Sequence, residues 1–120
     1  MILYRPVGQI ELNLIEESGF KRFPPRLAYQ PIFYPVLNEK YASEIALKWN
    51  TKDSLESLNF GYVTKFEIED DFISKYEVHQ VGDTYHLEYW IPSEELEEFN
   101  KHIVGNIEVI KCFNFLIHKS

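Results

Sequence analysis

The chain has 120 residues, enough for a single domain over 1–120 and too few for two independent cores. At 45% hydrophobic, 16% aromatic and 26% charged it carries the material of a packed core, which excludes a disordered chain. Its net charge of −7 repels a phosphate backbone and argues against a nucleic-acid partner.

The apolar opening from Ile2 to Val7, halted by Pro6 and Gly8, predicts a strand that exposes Tyr4 and Arg5 near its end. A helix follows, with Ile10, Leu12, Leu14 and Ile15 at helical spacing, Glu11, Glu16 and Glu17 on the outer face, and Gly19 as the stop. From Phe20 to Pro35, four prolines exclude a helix and predict an ordered, aromatic-rich loop that packs on the core or lines a pocket. Phe33 and Tyr34 form a short strand within it.

Leu37, Tyr41, Ile45 and Trp49 recur every four residues behind Asn38, a good N-cap, and predict a second amphipathic helix. The polar stretch from Asn50 to Asn59 reads as turn, and the alternation from Gly61 to Ile68 as a strand. Asp70 and Asp71 cap one helical turn. Tyr76 to Val81 and Thr84 to Ile91 flank Gly82-Asp83, which predicts a hairpin with a two-residue turn. That register sets Val81 against Thr84, His79 against His86 and Glu77 against Glu88. A third helix opens at Pro92-Ser93, runs to about Ile103 and ends at Gly105, and a last strand spans Ile107 to Ile117. The sum is an α+β domain with small, largely antiparallel sheets and about three helices.

The single Cys112 has no partner for an internal disulfide, and Met1-Ile2-Leu3-Tyr4-Arg5 lacks the basic and long apolar stretches of a signal peptide. No apolar run reaches the roughly 18 residues of a membrane span. A cytoplasmic chain without a membrane partner is the expectation.

Phosphate loops, paired-cysteine metal motifs and nucleophile elbows are missing from the sequence. Three features carry possible chemistry. Arg5, beside Tyr4 at the end of the first strand, can present its fork to a phosphate or ribose, or form an ordinary surface ion pair. Arg26, in Phe23-Pro24-Pro25-Arg26-Leu27, is held on a stiff loop that lowers the entropy cost of binding, or it too pairs with a carboxylate. Glu88 shares a hairpin face with His79, His86 and Trp90. That face suits a divalent metal, or a carboxylate set against a positively charged transition state, or simply the wet side of a hairpin.

These segments together resemble a family of small bacterial proteins labelled ADP-ribosylation/crystallin J1. The resemblance runs through Leu3-Tyr4-Arg5-Pro6-Val7, Phe23-Pro24-Pro25-Arg26-Leu27, Gln30-Pro31-Ile32-Phe33-Tyr34-Pro35-Val36-Leu37-Asn38, Tyr41-Ala42, Trp49-Asn50, and Glu88-Tyr89-Trp90-Ile91-Pro92 running into Glu94-Glu95-Leu96. The element order is similar to that of the ADP-ribosyltransferase fold, in which NAD lies in a cleft between two small sheets. The resemblance implies a mono-ADP-ribosyltransferase-like domain with NAD as substrate and a protein or small molecule as acceptor. It gives Glu88 the catalytic role, binding the ribose and stabilising the oxocarbenium. It gives Arg5 the ribose or phosphate, and Phe33, Tyr34 or Tyr41 the nicotinamide. Tyr4, Arg26 and His86 complete the expected NAD-binding set, with no metal. The Ser-Thr-Ser motif of arginine-class members is missing, and His86 stands where arginine-modifying members carry a second Glu or Gln. A non-catalytic module that binds NAD, ADP-ribose or a protein through the same cleft is the alternative.

Overall fold

A computed structural model describes residues 1–50 and 60–114. Expectations for the Asn50–Asn59 turn, for the packing of Trp49 and for the end of the last strand lie outside the described residues.

The chain opens with strand β1 (Ile2–Gly8) and helix α1 (Gln9–Glu17). After the proline-rich loop come the short strand β2 (Ile32–Phe33) and helix α2 (Glu39–Ile45), which passes into a π-helical stretch over Ala46–Asn50. Strand β3 (Phe60–Ile68), the single turn α3 (Asp70–Ile73), and strands β4 (Val78–Gln80), β5 (Leu87–Tyr89) and β6 (Ile91–Pro92) follow. A 3₁₀ turn at Ser93–Glu95 leads into α4 (Leu96–Lys101), and β7 (Ile103–Asn114) closes the described chain. Among the described residues the domain is thus α+β, with four helices and small antiparallel sheets. None of these helices is long and apolar enough to cross a membrane.

The main sheet has the order β1-β3-β7, while β2 pairs with β6 and β4 with β5. The Pro35–Leu37 backbone stitches these pieces together. Val36 bridges Tyr4 of β1 on one side and Glu88 of β5 on the other. Tyr4 and Val36 exchange both backbone bonds, at 2.9 and 2.8 Å, and Leu37 and Tyr89 add bonds to Leu87 and Pro35. Tyr4 and Glu88 therefore lie two inter-strand spacings apart, about 10 Å of backbone separation.

Alternation along β1 explains its burial on both sides. Leu3 and Val7 enter the main core with Ile15, Phe23, Phe33, Phe66 and Phe99. Tyr4 faces a second cluster of Val36, Ala42, Ala46 and Val63. The main core is an aromatic stack in which Phe23 meets Phe33 and Phe66 at 5.1 and 5.0 Å, and Phe33 meets Phe99 at 5.4 Å. Edge-to-face packing of this kind adds to the roughly 2–3 kcal/mol that burying each ring contributes. It also orders the proline loop, because Phe23 is fully buried and its backbone exchanges two 2.9 Å hydrogen bonds with the Asn100 side chain on α4.

Several local expectations change. The hairpin loop takes four residues, since the Val81 amide bonds to the His86 carbonyl and the chain turns over Gly82 to Tyr85, with Gly82 at φ 88°. This slips the register by two, so His79 faces Glu88 and Gln80 faces Leu87. Because the pleat has a period of two, the slip keeps each side chain on its expected face but separates the two histidines. The predicted strand through Ile91 breaks at Trp90, so that β5 pairs with β4 and β6 with β2. The third helix stops at Lys101, and Gly105 lies inside β7 at φ 76°, beside the register shift that separates the Lys65–Glu108 and Glu67–Val104 pairs. It forms a strand bulge, not a helix end.

Candidate functional site

A cleft of about 780 Å³ opens beside the Val36 bridge, walled by β1 and α1 on one side and by β5 with α2 on the other. The proline loop closes it through Pro24, Pro25 and Arg26. Its size is that of a small-molecule site. Arg5, Arg26, Tyr34, Tyr41 and Glu88, named from the sequence in separate segments, all line it.

Arg5 is not exposed as the sequence reading had it. It sits on the same face of β1 as Leu3 and Val7 and is only 7% exposed. The burial is compensated. Its Nε and one terminal nitrogen donate to the two oxygens of Glu11 at 2.9 and 3.0 Å, the other terminal nitrogen to the Tyr34 carbonyl at 3.4 Å, and the guanidinium lies 4.5 Å over the Phe33 ring. The fork expected to meet a ligand is thus already closed on Glu11, which the helical pattern had assigned to the solvent face. Arg26 approaches the same carboxylate at 4.0 Å and is fixed by a bond from its Nε to the Ile32 carbonyl at 3.2 Å.

Across the cleft Glu88 is 8% exposed. One carboxylate oxygen accepts from the Tyr41 hydroxyl at 2.8 Å, the other from the Trp90 indole at 2.7 Å. Local rules explain both partners. Trp90 follows Glu88 by two residues and so reaches the same side of the chain. Tyr41 sits in the first turn of α2, whose start is fixed by Asn38, which accepts from the Tyr41 amide at 2.8 Å while its own amide donates to the Tyr85 carbonyl at 2.6 Å. Burial, and then the bond to Glu88, push the Tyr41 phenol well above its ordinary range, so it remains a donor.

Behind Tyr41 the His86 ring stacks at 4.3 Å, with its nitrogens facing the Val81 carbonyl and Glu44, each at 3.2 Å. Tyr85 donates to the other Glu44 oxygen, which holds the Glu44 carboxyl below its ordinary value. At the mouth, Trp90 and Tyr34 meet edge to face at 6.5 Å, each about two-fifths exposed, and His79 lies flat on Trp90 at 3.7 Å.

Three members of the expected set take other places. Phe33 is fully buried beneath Arg5 and has no face to offer a ligand. Tyr4 turns away into the second core cluster, because it neighbours Arg5 on a strand and so points to the opposite side. His86 backs Tyr41 without lining the cleft. The register slip also parts the two histidines of the metal alternative, and among the described residues no group of three or more His, Cys, Asp or Glu could hold an ion. Two residues that the sequence reading did not select, Glu11 and Trp90, touch the central side chains directly. Spacing already sets Trp90 on the face of Glu88, without giving it a role, whereas nothing local marks Glu11.

No known protein family, curated protein or solved structure matches the chain. Arg5 and Arg26 set two guanidiniums about the Glu11 carboxylate on the α1 side, and Glu88 places a carboxylate on the β5 side. A ligand with an anionic group and a cationic or incipiently cationic centre is complementary to that arrangement.

Proposed function

We propose that the cleft binds NAD and that the protein is a mono-ADP-ribosyltransferase-like domain of the ADP-ribosyltransferase fold. The observation that carries this reading is the placement of Glu88 in one cleft with Arg5, Arg26, Tyr34 and Tyr41. NAD has the matching charge pattern, with a diphosphate for the arginine side and a nicotinamide ribose for the Glu88 side. In the reaction the bond from ribose C1′ to the nicotinamide nitrogen breaks and its electron pair leaves with nicotinamide. The ribose becomes an oxocarbenium, and the acceptor nucleophile then bonds to C1′. A nearly buried carboxylate already oriented by Tyr41 and Trp90 stabilises that cation without reorganising. Tyr34 and Trp90 offer aromatic surface at the mouth for the nicotinamide ring.

The test is nicotinamide release from NAD by the wild type and by Glu88→Gln, which is isosteric and retains acceptor capacity. A loss of about a hundredfold or more is expected. Equal rates in the two proteins would sink the catalytic reading.

One observation favours a second reading, a cleft that binds without turnover. The Arg5 fork is engaged by Glu11 and both Glu88 oxygens are engaged by side chains, which suits a preorganised binding site. Calorimetry that shows ADP-ribose binding together with no nicotinamide release would select it.

A further inference from the structure

Glu11 is the charged group at the cleft to which neither reading gives a part in ligand selection. Its carboxylate lies in the cleft wall on the first turn of α1, one-fifth exposed, between two guanidiniums whose side chains are only 8% and 13% exposed. Two parallel bonds from Arg5 and a second arginine at 4.0 Å are the geometry that a phosphate or carboxylate group of a ligand adopts in an arginine site. The arginines do not depend on Glu11 alone. Arg5 is also fixed by the Tyr34 carbonyl and the Phe33 ring, and Arg26 by the Ile32 carbonyl.

We infer that Glu11 is a built-in counter-anion that occupies a phosphate subsite formed by Arg5 and Arg26, and so sets the charge selectivity of the cleft. A phosphate-bearing ligand exchanges with the Glu11 carboxylate at the guanidiniums, and the carboxylate swings toward solvent. The wild-type cleft therefore favours a ligand whose anionic group outcompetes a carboxylate, and it discriminates against weaker anions. The inference rests on the reading of the cleft as a ligand site, but not on any turnover there.

The experiment is calorimetry on the wild type and Glu11→Gln with three probes: inorganic pyrophosphate, ADP-ribose and adenosine. Glutamine keeps an acceptor for Arg5 while removing the charge. The variant is expected to bind pyrophosphate and ADP-ribose about tenfold tighter or more, with a steeper loss of affinity in salt, and adenosine unchanged. Tighter pyrophosphate with no ADP-ribose binding by either protein supports the subsite and removes the NAD reading. ADP-ribose bound equally by both, or more weakly by the variant, overturns the inference and leaves the NAD reading standing. Binding of neither anion by either protein overturns it outright. Should Glu11→Gln fail to fold, Glu11→Asp, which retracts the charge from Arg26 by one methylene, must tighten pyrophosphate in the same direction, and an unchanged affinity overturns the inference.

Discussion

The Tyr41 hydroxyl donates to the Glu88 carboxylate at 2.8 Å across 47 positions of sequence, joining the first turn of α2 to the middle of β5. A bond to a charged, nearly buried acceptor contributes more than an ordinary hydrogen bond. Tyr41→Phe is therefore expected to lower unfolding free energy by about 1–3 kcal/mol, measured by urea denaturation. In the proposed reaction it also lowers nicotinamide release, and the loss should fall on kcat more than on KM, because Tyr41 orients Glu88.

The Arg5–Glu11 pair lies at the edge of the core, and losing one partner strands the other. Arg5→Met is expected to cost about 3 kcal/mol, at the lower end for a buried pair because Glu11 is partly exposed. Replacing both residues, as Arg5→Met with Glu11→Leu, should recover most of that loss, since an apolar pair carries no desolvation penalty. A double mutant no more stable than the single one would refute this account of the pair.

Trp90 reports on the cleft optically. The chain has two tryptophans, so a Trp49→Phe protein emits from Trp90 alone. Trp90 is 42% exposed and lines the cleft, and a ring stacked there shields it from water. ADP-ribose or NAD at saturating concentration should shift or quench that emission. An emission spectrum identical with and without ligand, in a protein shown by calorimetry to bind it, would place the ligand elsewhere.

Among the described residues five phenols are raised above their ordinary value, three of them by bonds to carboxylates, and they make the fold sensitive to alkali. Burial and the bond to Glu88 raise Tyr41, burial and the bond to Glu95 raise Tyr76, and the bond to Glu44 raises Tyr85 to about 12. Unfolded tyrosine ionises near pH 10. The stability these groups contribute is fully present below pH 10 and declines as pH rises beyond it toward the folded values. The urea midpoint should fall steadily between about pH 10 and 12, less steeply in Tyr76→Phe. Phenolate absorbance of the native protein at pH 11 should lie well below that of the unfolded chain.

The legible parts of the structure were those fixed by short-range rules. Asn38 as a cap, Tyr41 on the helix behind it, the alternation of β3 and the ordering of the proline loop all follow from spacing and residue type. Arg5, Arg26, Tyr34, Tyr41 and Glu88 could be singled out, and they line one cleft. The errors share a cause. Helical patterning treats any carboxylate as outward and so sets Glu11 in solvent, and only the tertiary fold reveals Arg5 beneath it. Phe33 and Tyr34 both read as ligand-facing, yet adjacent strand residues point apart, and the sequence does not say which side is core. The hairpin register turned on whether two or four residues close the loop, which Gly82-Asp83 alone does not decide.

The Val36 bridge has a last consequence. The gap between β1 and β5 is spanned by main-chain atoms, with Pro35 and Leu37 on either side adding their own rungs. Its width is therefore a property of peptide geometry and is indifferent to which side chains project into it. Substituting Arg5, Tyr41 or Glu88 changes what the site does without changing how far apart its walls stand. Dimension and chemistry are thus encoded separately, so the same slot can be refitted for a different ligand by exchanging a few side chains.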